Sequence, residues 1–334
     1  MAEVRRDIVT DAWVIIQTEP VTVSGATGFE PAECPFCPRH EELTPREIFS
    51  IRPDASQPDQ PGWLVRVVPS NAPVLRVEGV LEHHGVGIHD MVTGIGANEV
   101  IVETPEHIAA LPDLSAGQIV LVLHAYRQRI ADLYRDQRLR YVMVFKNYRQ
   151  GAGASNLSHS HSELIALVAT PRRIKDELTG ARNYFEYKER CLFCDILENE
   201  LAAGSRILLA TPHFVVCAPY ASRFPYELTI MPRRHIHAYD QASDAELDDL
   251  GQVLRRTLAA LRATLGDPPY NYVLHTAPNL LPVRGYWQTI REDYHWHLEI
   301  IPRTKRVAGF EWGSGFHINP VAPETAIEAL RGRL

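Results

Sequence analysis

The sequence has no apolar run able to cross a bilayer. Stretches such as Ile119–Leu123 end after five residues, against the roughly 20 that a spanning helix needs. It has no basic excess either. Lys and Arg number 34 against 41 Asp and Glu, a formal net charge of -7, whereas nucleic-acid binding calls for a basic stripe. Neither a membrane nor a nucleic acid is therefore an expected partner. Met1-Ala-Glu-Val-Arg-Arg6 lacks the apolar core of a signal peptide, so a cytoplasmic location is expected. Apolar residues are not scarce: they make up 45% of 334 positions. That excludes a disordered chain and allows a large core.

Cysteine is sparse, and its placement is informative. Of five, four form two C-x-x-C pairs, Cys34-Pro-Phe-Cys37 and Cys191-Leu-Phe-Cys194; the fifth is Cys217. An odd total in a cytosolic chain argues against a disulfide framework and for metal half-sites or redox pairs. A redox pair would end a strand and open a helix. Cys34 instead follows the loop Gly28-Phe-Glu-Pro-Ala32 and precedes Pro38, which favours metal. Cys217, inside Phe214-Val-Val-Cys-Ala218, reads as strand core.

The chain repeats itself. Each half opens with its cysteine pair. A strand follows that starts at Glu and leads to His, Glu99–His107 and Glu227–His235. Apolar positions three and four apart predict a long helix in each half, about 116–135 and about 244–265. Next comes an apolar strand, Tyr141–Phe145 or Tyr272–Thr276, and then an H-x-H-x-E strand, His159-Ser-His161-Ser-Glu163 or His295-Trp-His297-Leu-Glu299. The expected fold is α+β: two tandem units, mainly antiparallel sheets with flanking helices. Residues 1–180 form the N-terminal unit and 181–334 the C-terminal one, with the join near Asp176–Arg190 and no Gly/Ser-rich linker.

In a strand, residues two apart share a face. Two His and a Glu on one face of an apolar strand are costly to bury unless they bind something. Tetrahedral zinc takes four N or S ligands. Cys34, Cys37, His107 and either His159 or His161 would complete one site. Cys191, Cys194, His235 (with His237 as competitor) and His295 or His297 would complete the other. One His of each pair is left over. In the first half it follows Asn147-Tyr-Arg-Gln-Gly-Ala-Gly-Ala-Ser-Asn156, where Gly151 and Gly153 allow backbone to approach an anion. A neutral imidazole beside such a loop is a competent nucleophile toward phosphorus. The counterpart in the second half, Thr276–Gly285, is Pro-rich, so chemistry is expected in the first half and a structural role in the second.

These segments resemble the galactose-1-phosphate uridylyltransferase family, a branch of the histidine-triad superfamily. The resemblance rests on Cys-Pro-Phe-Cys, Glu99-Val-Ile-Val-Glu-Thr-Pro-Glu-His107, Val-Phe-Lys-Asn147, Gly-Ala-Ser155 and the H-x-H strand. Tyr184-Phe-Glu, Pro269-Tyr-Asn-Tyr272, His295-Trp, Gly309-Phe-Glu-Trp-Gly-Ser-Gly315 and Ile318-Asn-Pro320 resemble its ADP-glucose phosphorylase branch. The resemblance implies two tandem histidine-triad-like units and ping-pong nucleotidyl transfer. His161 would be the nucleophile, Glu163 its catalytic neighbour, and His159 the zinc ligand beside Cys34, Cys37 and His107. The second zinc would take Cys191, Cys194, His235 and His295, making two per chain. Asn71, Asn147, Gly151, Gly153, Ser155 and Asn156 would bind nucleotide and phosphate, and Lys305, Phe310 and Glu311 the sugar. The substrates would be a nucleotide sugar with a sugar phosphate or inorganic phosphate, and the assembly a homodimer.

Three departures stand out. Glu163 occupies a position where the family usually has Gln. The segment Gln17-Thr-Glu-Pro20 has no Arg where the family has one. Asn147 stands twelve residues before His159, one more than usual, which leaves the roles of Ser155 and Asn156 open. They point to altered substrates, a different acceptor or a hydrolase-like activity. Uridylyl transfer to a hexose 1-phosphate is the leading reading. Adenylyl transfer, with ADP-glucose or adenylyl sulfate and phosphate, is the second. A zinc-stabilised nucleotide-binding protein without transfer activity is the third.

Overall fold

The computed structural model describes residues 2–17, 33–53, 56–154, 158–281 and 287–334. A small sheet holds β1 (Glu3–Arg6), β2 (Trp13–Ile16), β5 (His83–Val86) and β6 (His89–Thr93) in the order β2-β1-β6-β5. Everything else is organised by one ten-stranded sheet. Its first-half strands are β3 (Phe49–Ile51), β4 (Val65–Pro69), β7 (Gly96–Val102), β8 (Tyr141–Tyr148) and β9 (His161–Leu167). Its second-half strands are β10 (Ile207–Ala210), β11 (Phe214–Cys217), β12 (Leu228–Pro232), β13 (Tyr270–His275) and β14 (His297–Pro302).

Read from its two edges inward, the sheet runs β3-β4-β7-β9-β8 and β10-β11-β12-β14-β13. The two halves have one topology, and they meet where β8 pairs antiparallel with β13, Tyr148 opposite Tyr270 and Val144 opposite Leu274. The architecture is α+β with antiparallel pairing throughout these strands, as the repeat implies. The repeats share one sheet rather than two that merely pack.

Seven helices complete the described chain: α1 (Ala116–Leu133), α2 (Arg172–Lys188), α3 (Leu192–Ala203), α4 (Asp244–Leu265), α5 (Ile290–Asp293), α6 (Gly309–Ser314) and α7 (Pro323–Arg331). None is long and apolar enough to cross a membrane. Helix α4 starts where Ser243 and Glu246 form a capping box and stops at Gly266, whose φ of 70° suits a residue without a side chain. Helix α1 is capped by Ser115, which accepts from the Gln118 amide. The two helices pack side by side on one face of the sheet. Ile119, Val122, Leu123, Tyr126 and Ile130 of α1, with Leu247, Leu250, Leu254 and Leu258 of α4, make the main core with Val142, Val144, Leu274 and Leu298. Gly251 allows this approach, because a Cβ there would lie 2.5 Å from Val120 Cγ2. The sequence position 180, expected to close the first unit, falls within α2, which covers the opposite face at the seam with Ile174 and Leu178 against Tyr141 and Tyr294.

Candidate active site and metal centres

The strands expected to reach His107, His159 and His295 are shorter than the sequence suggests. β7 stops at Val102, two residues before a Thr104-Pro105 step that cannot continue the ladder. His159 precedes β9, because its segment pairs with the loop after β7: Ser160 N–H donates to Ile108 O, and Glu103 N–H to Ser160 O. That detour carries His159 across to His107 and to the Cys34 loop.

Cys34, Cys37, His107 and His159 converge, with one donor atom each inside a 4.8 Å cluster. Cys37 Sγ lies 3.3 Å from His107 Nδ1 and 3.6 Å from His159 Nδ1, and Cys34 Sγ also lies 3.6 Å from His159 Nδ1. A tetrahedral zinc with its usual Zn–S and Zn–N bonds sets S···N separations of about 3.6 Å. The donor set and spacing therefore fit this metal. His159 Nε2 donates to Thr104 O at 2.8 Å and turns Nδ1 toward the thiols. Burial, with Cys34 alongside, pushes the Cys37 thiol up to about 12, so a cation is what would hold that sulfur as a thiolate. Burial lowers His159 to about 4, which keeps it in its neutral, ligating form.

Cys191, Cys194, His235 and His295 form a second cluster of the same kind. Cys194 Sγ is 3.3 Å from His235 Nδ1 and 3.7 Å from His295 Nδ1, and His235 Nε2 donates to Arg291 O at 2.8 Å. His237, the competitor on sequence grounds, stands outside this group.

His161 opens β9, half-buried, its ring edge-on to Phe36. Its Nδ1 lies 2.7 Å from the His159 carbonyl. A carbonyl only accepts, so Nδ1 carries the proton and Nε2 the free lone pair. Burial and then the Lys146 charge lower its pKa, which leaves the imidazole neutral at pH 7. Glu163 follows on the same face, and the pairs Val102–His161 and Val100–Glu163 give the register. Burial raises its pKa, with only an Asn147 Nδ2–H bond of 3.2 Å opposing. Asn147 is itself held, since Asn271 Nδ2 donates to its Oδ1 at 2.7 Å and to Ala152 O at 2.8 Å.

The glycine loop divides its roles. Gly153 has φ 86° with open space around a would-be Cβ, whereas a Cβ on Gly151 would meet Pro269 Cγ at 2.8 Å. Gly151 thus makes room for the second half. Ser155 and Asn156 lie outside the described residues, as do Thr18–Pro20. Asn71 lines a cavity of about 1120 Å³ with Pro69, Arg76 and Asn98. Asn98 pairs with Ile165, four residues along β9 from His161, about 13 Å away at the rise of a strand. Lys305 and Glu311 bond to each other at 2.8 Å, and Glu311 also accepts from the Ala308 and Ile318 amides. Together they fold a loop that leaves Phe310, Trp312, Phe316 and Ile318 exposed, Trp312 by 79%.

Two groupings were not legible in the motifs, although the motifs contain some of their members. Glu177, His275, His297 and Glu299 form a third cluster in the second half. Here Glu299, which sits opposite Val273 as Glu163 sits opposite Phe145, bonds Arg173 at 2.6 Å and Arg223 at 3.0 Å. Burial would raise it, but His275, Arg223 and Arg173 prevail and hold it at about 2. The second group is a buried ion pair, Lys146 with Glu103, behind His161. Its signal was parity: Val142, Val144 and Lys146 share the core-facing side of β8, an odd place for a lone lysine.

The fold and site define a class of protein built from two fused α+β units, each with a Cys/Cys/His/His cluster. The comparisons narrow it. A family model described as "Domain of unknown function (DUF4921)" matches residues 87–334. ADP-glucose phosphorylase of Arabidopsis thaliana is 33% identical, over 98% of this chain and 92% of that one. Galactose-1-phosphate uridylyltransferase of Thermotoga maritima is 29% identical over 99% and 98%. A crystal structure of the Arabidopsis ADP-glucose phosphorylase with bound ADP-glucose superposes with a TM-score of 0.77, at 32% identity and 99% coverage of both chains. This chain belongs to the DUF4921, galactose-1-phosphate uridylyltransferase-like family, and its named relatives make it a nucleotidyltransferase.

Proposed function

We propose that the protein moves a nucleotidyl group from a nucleoside-diphosphate sugar to a phosphate acceptor through a covalent nucleotidyl-His161. The observation that carries this reading is the His161 imidazole, neutral, with Nδ1–H tied to the His159 carbonyl and Nε2 free. Nε2 attacks the α-phosphorus, a P–N bond forms, the bond to the β-phosphate oxygen breaks, and the sugar phosphate leaves. An acceptor phosphate oxygen then attacks the same phosphorus and frees Nε2. Zinc, held by Cys34, Cys37, His107 and His159 and again by Cys191, Cys194, His235 and His295, would supply rigidity rather than Lewis acidity, tying the strand of His161 to its neighbouring loops.

Asn71, Asn147, Gly151, Gly153, Ser155 and Asn156 are assigned to nucleotide and phosphate, and Lys305, Phe310 and Glu311 to the sugar. The N-terminal unit (1–180) carries the chemistry, and the C-terminal unit (181–334) supports structure and substrate. A cytoplasmic homodimer would cover the exposed Phe310–Ile318 face. Uridylyl transfer from UDP-glucose to galactose 1-phosphate is the first reading. Adenylyl transfer from ADP-glucose to inorganic phosphate is the second, favoured by the 33% full-length identity to an ADP-glucose phosphorylase. Incubation with labelled UDP-glucose or ADP-glucose, acid-free trapping of the protein and peptide mapping tests both. Label on His161 from one donor identifies the base. No label from either overturns the covalent reading.

A further inference from the structure

Directly behind His161, on the opposite face of the sheet, lies an ion pair out of reach of solvent. Lys146 is 2% exposed and Glu103 0%. The three ammonium protons of Lys146 have three acceptors: Glu103 Oε2 at 2.6 Å, Ser160 Oγ at 3.1 Å and the backbone carbonyl of His161 at 2.7 Å. Glu103 Oε2 also accepts from Ser160 Oγ–H at 2.5 Å. Its Oε1 faces the hydroxyls of Tyr126 at 3.3 Å and Tyr272 at 3.5 Å. Those hydroxyls lie 2.5 Å apart, and Tyr126 donates to Ser162 Oγ at 2.6 Å.

The peptide carbonyls of residues 159, 160 and 161 each have a donor. The His159 carbonyl takes the His161 ring, the Ser160 carbonyl takes the Glu103 amide, and the His161 carbonyl takes Lys146. Tyr272 belongs to β13, so the second half is wired to the same point. Burying two charges is expensive, and apolar residues of the same volume would serve stability as well or better. What apolar residues cannot do is hold the His161 carbonyl.

We propose that Glu103 and Lys146 are positioning residues: their pair locks the main chain at Ser160–His161 so that Nε2 stays aligned with the α-phosphorus in both half-reactions. The proposal rests on His161 being the nucleophile. A misplacement of about 1 Å at such a centre lowers the rate on the order of 10²-fold.

The test is the double variant Lys146→Met/Glu103→Gln, which removes both charges at nearly constant volume and leaves neither buried alone. It should fold, keep its metal content and bind the nucleotide sugar with wild-type affinity. Its single-turnover formation of the nucleotidyl-enzyme should fall on the order of 10²-fold, with KM unchanged. Lys146→Arg keeps the charge but offers a planar fork to three convergent acceptors. It should fold and be intermediate in rate, and it carries the test alone if the double variant does not fold. Wild-type rates of intermediate formation in whichever variant folds would overturn the proposal, and so would a loss confined to KM. If the wild-type protein itself carries no label on His161, the underlying reading of the nucleophile has failed instead.

Discussion

Glu163→Gln is the perturbation that interrogates the site most directly. Glu163 lies one step along β9 from His161 on the same face. Its second-half counterpart Glu299 is charge-matched by Arg173 and Arg223, whereas Glu163 accepts from the neutral amide of Asn147. An ionised carboxylate about 4 Å from a phosphoryl oxygen, at an effective dielectric of about 20, costs roughly 4 kcal/mol. That is about a thousandfold in rate.

Burial, however, raises the Glu163 pKa. A protonated carboxyl repels nothing and donates a hydrogen bond, as a glutamine amide would. The sign follows. Below the ordinary carboxylate range Glu163 is neutral in folded and unfolded chains alike, and its protonated form supports both stability and phosphate binding. As pH rises through the elevated folded-state value, both contributions are lost.

Single-turnover formation of the labelled nucleotidyl-enzyme, measured across pH, should therefore show a declining alkaline limb in wild type and none in Glu163→Gln. The variant should be faster above that limb, by up to about a thousandfold. The acid limb, set by protonation of His161, whose pKa is lowered, should be common to both. A Gln variant slower than wild type at every pH and on every nucleotide would refute this reasoning and make the carboxylate a working acid or base.

Metal analysis should find close to two zinc ions per chain, and Cys34→Ser or Cys191→Ser should each lose one and lower the Tm, since structural zinc contributes folding free energy. His161→Ala should abolish transfer with zinc retained, whereas His159→Ala should disturb both; zinc loss in His161→Ala would reverse the division of roles. Gly251→Val should destabilise by about 1–3 kcal/mol in denaturant melts, because a Cβ already reaches 2.5 Å from Val120; an unchanged midpoint would mean that α1 and α4 can part freely. If the proposed homodimer uses the Phe310–Ile318 face, the wild-type chain should sediment as a dimer and Trp312→Ser with Phe316→Ser, at residues 79% and 72% exposed, as a monomer; a monomeric wild type would refute the dimer, and a variant dimer that persists would refute this interface.

The repeat, both long helices and the Cys/Cys/His part of each metal set were legible in the amino-acid sequence. Each of these is written in short-range terms: apolar spacing sets the face of α1 and α4, Ser243 with Glu246 and Gly266 set the ends of α4, and zinc chemistry restricts which residues can serve as ligands. Which histidine of each pair faces the cysteines depends on the tertiary fold. His159 and His161 are equivalent by alternation, and only the detour of residues 158–160 against the loop after β7 sends His159 to the cysteines and leaves the Nε2 of His161 free. The tertiary fold also joined the repeats through β8 and β13 into one sheet, a pairing between residues more than a hundred positions apart that no local pattern encodes. The same long-range pairing brings Tyr272, Glu103 and Lys146 together behind the nucleophile. A lysine in an apolar strand reads as an anomaly until the fold supplies its carboxylate, because the stability of a buried charge depends on partners that the chain delivers from elsewhere.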